Sequence, residues 1–287
     1  MNFAHRLLIA ILLTLVLSSN IFSQRIRGNR LLEVLGQTAY SYLLNANRPG
    51  YGVDAFTMER GKANLSIGLS YSDEVIDIPV SVNYGLTDDL ELSAGLSPYT
   101  ESYNFQGNKI NGFGDSYLGV KYSFLETDYF IHGIQAVVKL PTASQNSELG
   151  TGKADVYLGV AQGYVNGNFG YDLSFEFNIL QRRDFPNTKK YPAVIQNQID
   201  SAKSSYDYSI EPEIVISGGP SFNISKNVST YIGFSFSRNT RLNYNSQSLY
   251  GGAGLMLSKK TGLSLGGSYG LEEAGTWGVS AGLGFTF

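Results

Sequence analysis

From residue 61 onward, hydrophobic and polar positions alternate almost one for one. In Asn64-Leu65-Ser66-Ile67-Gly68-Leu69-Ser70-Tyr71 every apolar side chain falls on one face and every small or polar one on the other. Ile76, Ile78, Val80, Val82 and Tyr84 repeat the pattern opposite Asp77, Pro79, Ser81 and Asn83. Leu90, Leu92, Ala94 and Leu96 repeat it again opposite Glu91, Ser93 and Gly95. Successive side chains of a strand point to opposite faces, so alternation sustained over five or more positions predicts β-strands. Twelve are predicted, over 61–71, 75–84, 89–97, 114–124, 129–140, 153–163, 168–180, 207–218, 228–238, 248–257, 262–271 and 277–287. Most run to about ten residues, the length a tilted strand needs to cross a bilayer.

The connections carry independent information because their lengths alternate. Short turns are predicted at Gly85-Leu86-Thr87-Asp88, Leu125-Glu126-Thr127-Asp128, Asn166-Gly167, Ser225-Lys226-Asn227 and Ser258-Lys259-Lys260-Thr261. Asparagine-glycine is the strongest hairpin signal among them. Longer loops are expected at 98–113, 141–152, 181–206 and 239–247, while 72–74 and 272–276 are short exceptions on that same side. Tight turns at one end and longer loops at the other describe an all-β, transmembrane antiparallel up-and-down β-barrel of about 12 strands. A soluble sandwich also alternates, but it turns its apolar face inward and its charges outward. Here the non-apolar face is rich in Gly, Ser, Asn and Tyr and poor in charge, which suits a lumen better than a solvated shell. Aromatic residues near strand ends (Tyr71, Tyr84, Tyr122 with Phe124, Phe169 with Tyr171, Phe285 with Phe287) match interfacial girdles.

The first 60 residues follow other rules. Residues 1–23 place His5 and Arg6 before an apolar run from Leu7 to Leu17 and then small polar residues, as a secretory signal peptide does, with cleavage expected after Ser23. An N-terminal membrane anchor is the alternative, but the run is shorter than the ~20 residues a helical span needs. Residues 24–60 are expected to form an N-terminal periplasmic or plug segment ahead of a barrel over 61–287. Leu31, Leu32, Leu35, Ala39, Tyr42 and Leu43 fall at helical spacing and predict a short amphipathic helix over about 30–44.

Composition narrows the chemistry. The 287 residues include no cysteine, 33 glycines, 20 tyrosines and 16 phenylalanines, and 16% are charged. The missing thiols exclude disulfides and thiolate metal sites, and a net charge of −3 leaves no electrostatic footprint for nucleic acid. Mean hydropathy of −0.09 excludes a helical membrane bundle. Two glycine-rich phrases, Gly112-Phe113-Gly114 and Leu149-Gly150-Thr151-Gly152, lack the spacing and following helix of phosphate loops.

Several phrases in order resemble the family of outer-membrane barrels of the MetA-pathway of phenol degradation. They are Asn47-Arg48-Pro49-Gly50, Met58-Glu59-Arg60-Gly61 and Val82-Asn83-Tyr84-Gly85-Leu86-Thr87-Asp88-Asp89-Leu90-Glu91-Leu92. Next come Gly112 to Tyr122, Val138-Lys139-Leu140-Pro141-Thr142 and Leu149 to Gly159, so the phrases span about 47 to 163 and later strands match by pattern alone. The resemblance implies an outer-membrane barrel that passes or binds hydrophobic or aromatic compounds, and it brings no catalytic residues. The last strand alternates to its end at Phe287, resembling the C-terminal signal by which the barrel-assembly machinery recognises its clients.

The expected pore lining follows from the alternation. Lys121 and Lys139 project inward from neighbouring strands, with Asp77, Glu91, Asp155, Asp172, Glu176, Glu211 and Glu213 on inner faces elsewhere. In a low-dielectric wall such charges must pair or meet water, as a bracing ion-pair network or as a charged constriction that selects solutes. Seven acids against two lysines favour cations or neutral polar solutes. Inward Tyr117, Tyr157, Tyr231 and Tyr250 line or fill the lumen. His132 is the one histidine after the leader and shares the outer face with Phe130, Ile134, Ala136 and Val138.

Three functions remain open on this reading. The first is an outer-membrane channel or transporter for small molecules, with outer-membrane lipid and a small-molecule solute as partners. The second is a closed structural or binding barrel acting through the loops at 98–113 and 181–206, the latter carrying Arg182, Arg183, Lys189 and Lys190. The third is a serine hydrolase using His132, which needs a serine and an orienting group that sequence cannot place.

Overall fold

Period-two segments of this length can satisfy their backbone groups in lipid only by pairing into a closed sheet, and a closed sheet is what forms. The computed structural model describes residues 54–72, 75–103, 109–143, 149, 153–181, 210–240, 244–271 and 277–287. The signal peptide, the predicted helix over 30–44 and the loop at 182–209 lie outside the described residues. Thirteen strands are present among them. They are β1 (Ala63–Ser72), β2 (Val75–Gly85), β3 (Leu90–Tyr103), β4 (Lys109–Gly112), β5 (Ser116–Glu126) and β6 (Phe130–Leu140). The chain continues with β7 (Asp155–Asn166), β8 (Phe169–Gln181), β9 (Ile210–Ser225) and β10 (Val228–Asn239), then β11 (Tyr244–Ser258), β12 (Thr261–Gly270) and β13 (Trp277–Thr286).

Every pairing between these strands is antiparallel, and β13 returns to β1 with Leu65 opposite Phe285 and Tyr71 opposite Val279. Ala63 and Phe287 exchange backbone hydrogen bonds at the seam, the Phe287 N–H reaching the Ala63 carbonyl at 2.8 Å. No edge remains.

The thirteenth strand comes from a break rather than an addition. β5 pairs with Leu90–Gly95 of β3, whereas β4 pairs with Thr100–Tyr103 farther along it. Together β4 and β5 are one barrel strand interrupted at Phe113-Gly114-Asp115, so twelve strands surround the lumen. Gly114 lies so close to β3 that a Cβ there would stand 2.8 Å from Thr100 Oγ1 and 2.9 Å from Ser97 Cβ. The predicted loop at 98–113 is therefore mostly strand. The loop expected at 239–247 is likewise a hairpin, since Asn239 pairs with Tyr244. Strand nine was expected to stop at 218 but runs through Gly218-Gly219-Pro220 to Ser225, held by continuous pairing with β8. On its β10 side the register pairs lapse at Gly219 and Pro220.

The two faces are those of a membrane barrel. Leu69, Leu118, Leu265 and Val279 on the outer wall are each more than half exposed, while Asn83, Glu91 and Ser264 on the inner wall are almost wholly buried. In water, leaving such a belt exposed would forgo about 1 kcal/mol or more per leucine; against acyl chains it costs nothing. Rings gather at both rims. At the short-turn rim Tyr164 packs on Phe130, Tyr171 and Phe169 at 5.0, 5.5 and 6.1 Å between centroids, and Phe169 continues to Phe222 at 5.3 Å. Tyr71 meets Trp277 at 5.3 Å at the other rim. The architecture is that of a bacterial outer-membrane barrel, with the short turns and both barrel termini at the periplasmic end.

Candidate functional site in the barrel lumen

Strand alternation carries the predicted charges inward, and the structure sorts them into two clusters. At the long-loop end, Lys139 reaches Asp155 at 2.5 Å and Asp115 at 3.4 Å. Asp155 also accepts the Gln181 backbone N–H at 2.7 Å and the Tyr157 hydroxyl at 3.3 Å, while Asp115 accepts the Ala143 N–H at 3.0 Å. The ends of β5, β6, β7 and β8 are thus tied through one ammonium.

At the short-turn end, Lys121 lies 3.0 Å from Asp54 and 3.5 Å from Glu91, with the lysine and glutamate side chains 3% and 1% exposed. Asp54 comes from the segment ahead of β1, and that segment is inside the barrel. Ala55 is fully buried and Phe56 and Met58 nearly so. Ser123 Oγ donates to the Ala55 carbonyl at 2.6 Å, the Met58 N–H donates to Glu91 Oε2 at 2.9 Å, and Thr57 Oγ1 donates to the Asp88 carbonyl at 2.8 Å. Two inward glycines make the room. A Cβ at Gly133 would stand 3.1 Å from Ala55 Cα, and one at Gly163 would stand 2.8 Å from the Phe56 ring. The chain then leaves the lumen through a turn at Gly61, whose φ of 76° suits glycine, and begins β1.

The remaining acids lie along the β2, β8 and β9 walls. Asp77 accepts from Thr100 Oγ1 at 2.8 Å, Glu213 from Asn178 Nδ2 at 3.1 Å and Glu211 from Asn239 Nδ2 at 2.9 Å. Glu176 stands opposite Gly159 and Val215, and Asp172 opposite Gly163 and Gly219. Tyr117 stands beside Lys139 in register, and Tyr231 and Tyr250 pack at 6.2 Å between ring centroids. By contrast, β10 to β13 and β1 present mainly small groups to the lumen, among them Ser66, Ser235, Ser264, Gly266 and Gly282. The lumen therefore has a charged half and a small, hydroxyl-rich half.

Sequence reasoning paired Lys121 and Lys139 with inward acids in general but missed Asp54, which lies outside the alternating segments, and Asp115, which lies at the start of the predicted strand over 114–124. For Asp115 the available signal was its parity with Lys121, whereas Asp54, ahead of the first alternating segment, offered none. His132 keeps the outer-wall position read from the alternation. It is fully buried between Phe124 and Phe130, with ring centroids at 6.1 and 6.5 Å, which is a packing environment. A one-residue irregularity in β5 beside Ser123 brings Leu125 opposite it. Among the described residues no group of three His, Cys, Asp or Glu side chains could hold a metal ion.

Solved barrels share this architecture at low identity. The NanC porin superposes with a TM-score of 0.53 at 9% identity, covering 78% of this chain and 98% of that one. The KdgM porin superposes at 0.54 and 7% identity, covering 78% and 99%. These likenesses concern the fold. No curated protein matches the sequence. The sequence model of one family does match, over residues 46–287, which takes in the lumenal segment and the whole barrel. The chain belongs to the family described as "Putative MetA-pathway of phenol degradation".

Proposed function

We propose that this protein is an outer-membrane channel for small molecules, with the polar lumen as the passage and hydrophobic or aromatic compounds among its solutes. The observation that carries this reading is the ionisable inner wall. Lys121, Lys139 and seven inward acids stand inside an apolar cylinder. A purely structural barrel gains little from them, because replacing buried ion pairs by packed apolar groups is often neutral or stabilising. Charges that face a passage, by contrast, set which solutes enter it. The acid excess raises a barrier to inorganic anions. Residues 1–23 fit an export signal, residues 24–60 a lead that ends in the lumen, and the strand ending at Phe287 a handle for the barrel-assembly machinery.

The test is planar-bilayer conductance of the refolded mature chain with and without residues 24–60. A steady open level, larger after truncation, is expected. Silence in both forms would refute the channel and leave a closed barrel working through its outer loops. The placement of His132 between two phenylalanines on the outer wall, away from the inward serines, favours neither hydrolysis nor transport.

A further inference from the structure

The segment in the lumen shows what the surface beneath it accepts. We propose that this surface is a binding site for aromatic monocarboxylates, occupied in this state by the chain's own Asp54 carboxylate and Phe56 ring. The proposal deepens the channel reading and rests on it, since a solute held there would be in transit.

Three features define the site. Lys121 supplies an ammonium 3.0 Å from the Asp54 carboxylate, and Ser123 supplies a hydroxyl that reaches the Ala55 carbonyl at 2.6 Å. Beside them lies an apolar notch on the inner faces of β6 and β7, where Ile131 stands opposite Gly163 and Gly133 opposite Ala161. The Phe56 ring sits against Gly163, where even a methyl group would collide with it. The Asp54 carboxylate also accepts the Phe56 N–H at 2.9 Å, so carboxylate and ring are held together from positions two residues apart. A phenyl ring on a short carboxylate chain, as in 3-phenylpropanoate, offers the same two groups.

Exchange of one carboxylate for another leaves the charge of the lumen unchanged, so the acid-rich wall does not forbid it. Chloride or acetate gains nothing from the notch and stays excluded. Residues 54–59 belong to no strand ladder, so they can withdraw without unzipping the wall. A tethered competitor acts at millimolar effective concentration, which keeps affinity in the weak range that passage requires.

The experiment titrates 3-phenylpropanoate into the full mature protein by calorimetry and measures potassium conductance on the same preparations, with heat-modifiable gel mobility confirming folded barrels. Removing the tethered competitor with Asp54→Ser and Phe56→Ala together should tighten binding by about tenfold or more. In that background acetate and 3-phenylpropanol should each bind at least about tenfold more weakly than 3-phenylpropanoate, because each lacks one half of the pair. Gly163→Val should abolish binding by filling the notch, and Lys121→Gln should do so by removing the cation. Equal binding of acetate and 3-phenylpropanoate, no gain in the double variant, or binding that survives either Gly163→Val or Lys121→Gln overturns the site. Conductance without binding removes the site and keeps the channel; binding without conductance keeps the site and removes the channel.

Discussion

Lys139 stands opposite Tyr117, four positions along β5 from Lys121, so the two lysines are about 13 Å apart at 3.3 Å per residue. Each gathers two acids at its own end of the lumen. Replacing Lys121 by Met should leave Asp54 and Glu91 near each other without their cation, at a cost of about 3–5 kcal/mol at neutral pH. Urea unfolding in lipid vesicles measures this, and a loss under 1 kcal/mol would show that the cluster is not formed in the membrane. Adding Glu91→Gln to Lys121→Met should recover part of the loss, since one buried charge is then gone. At this scale the sequence was legible wherever alternation assigned a face: all seven predicted acids and both lysines are on strands facing inward. Asp54 escaped because it sits in no period-two segment, and a face cannot be assigned where there is no period; Asp115 shares the inward parity of Tyr117 and Lys121 in the predicted strand over 114–124 and was within reach of the same rule.

The strands themselves were legible for the same reason, with informative exceptions. Membrane thickness sets the apolar alternation, so it fades where β3 and β11 rise above the lipid as Ser, Thr, Asn and Gln sequence. Their outer ends therefore read as loops. In β9 the sequence Gly218-Gly219-Pro220 reads as a turn, yet pairing with β8 on one flank holds the strand straight through it. Outward and inward positions on one strand should respond oppositely to the same insult. Leu265→Arg, in the middle of the outer wall of β12, should cost about 2–4 kcal/mol. Its inward neighbour changed by Gly266→Ser should stay within about 0.5 kcal/mol. The same vesicle unfolding assay separates the two, and equal costs would contradict the assignment of faces.

For the molecule as a whole, the excess of inward acids should appear as ion selectivity. In a potassium chloride gradient the reversal potential should lie toward the potassium limit. The combined change Glu176→Gln, Glu211→Gln and Glu213→Gln should move it toward zero, and an unmoved reversal potential would place the selecting charges elsewhere. That a barrel forms was evident from strand length, turn asymmetry and the last strand. Which of the two places expected for residues 24–60, lumen or periplasm, its described part takes was not, because that part is aperiodic and its partners Lys121, Ser123 and Glu91 lie far away in the sequence.

The seam between β1 and β13 has a consequence for how the protein is built. Ala63 and Phe287 are joined across the whole length of the barrel sequence, and such long-range pairing carries the largest loop-closure entropy and forms slowly. The segment carrying Asp54 is covalently attached just ahead of β1, one of the two strands that meet at that seam. It can lie on the inner side of the curling sheet as the last ladder zips, or enter past the short-turn rim afterwards, since residues 54–59 belong to no ladder. Order of events during assembly then decides only whether a newly made barrel leaves the assembly site filled or empty, and exchange with solute sets the occupancy from there on.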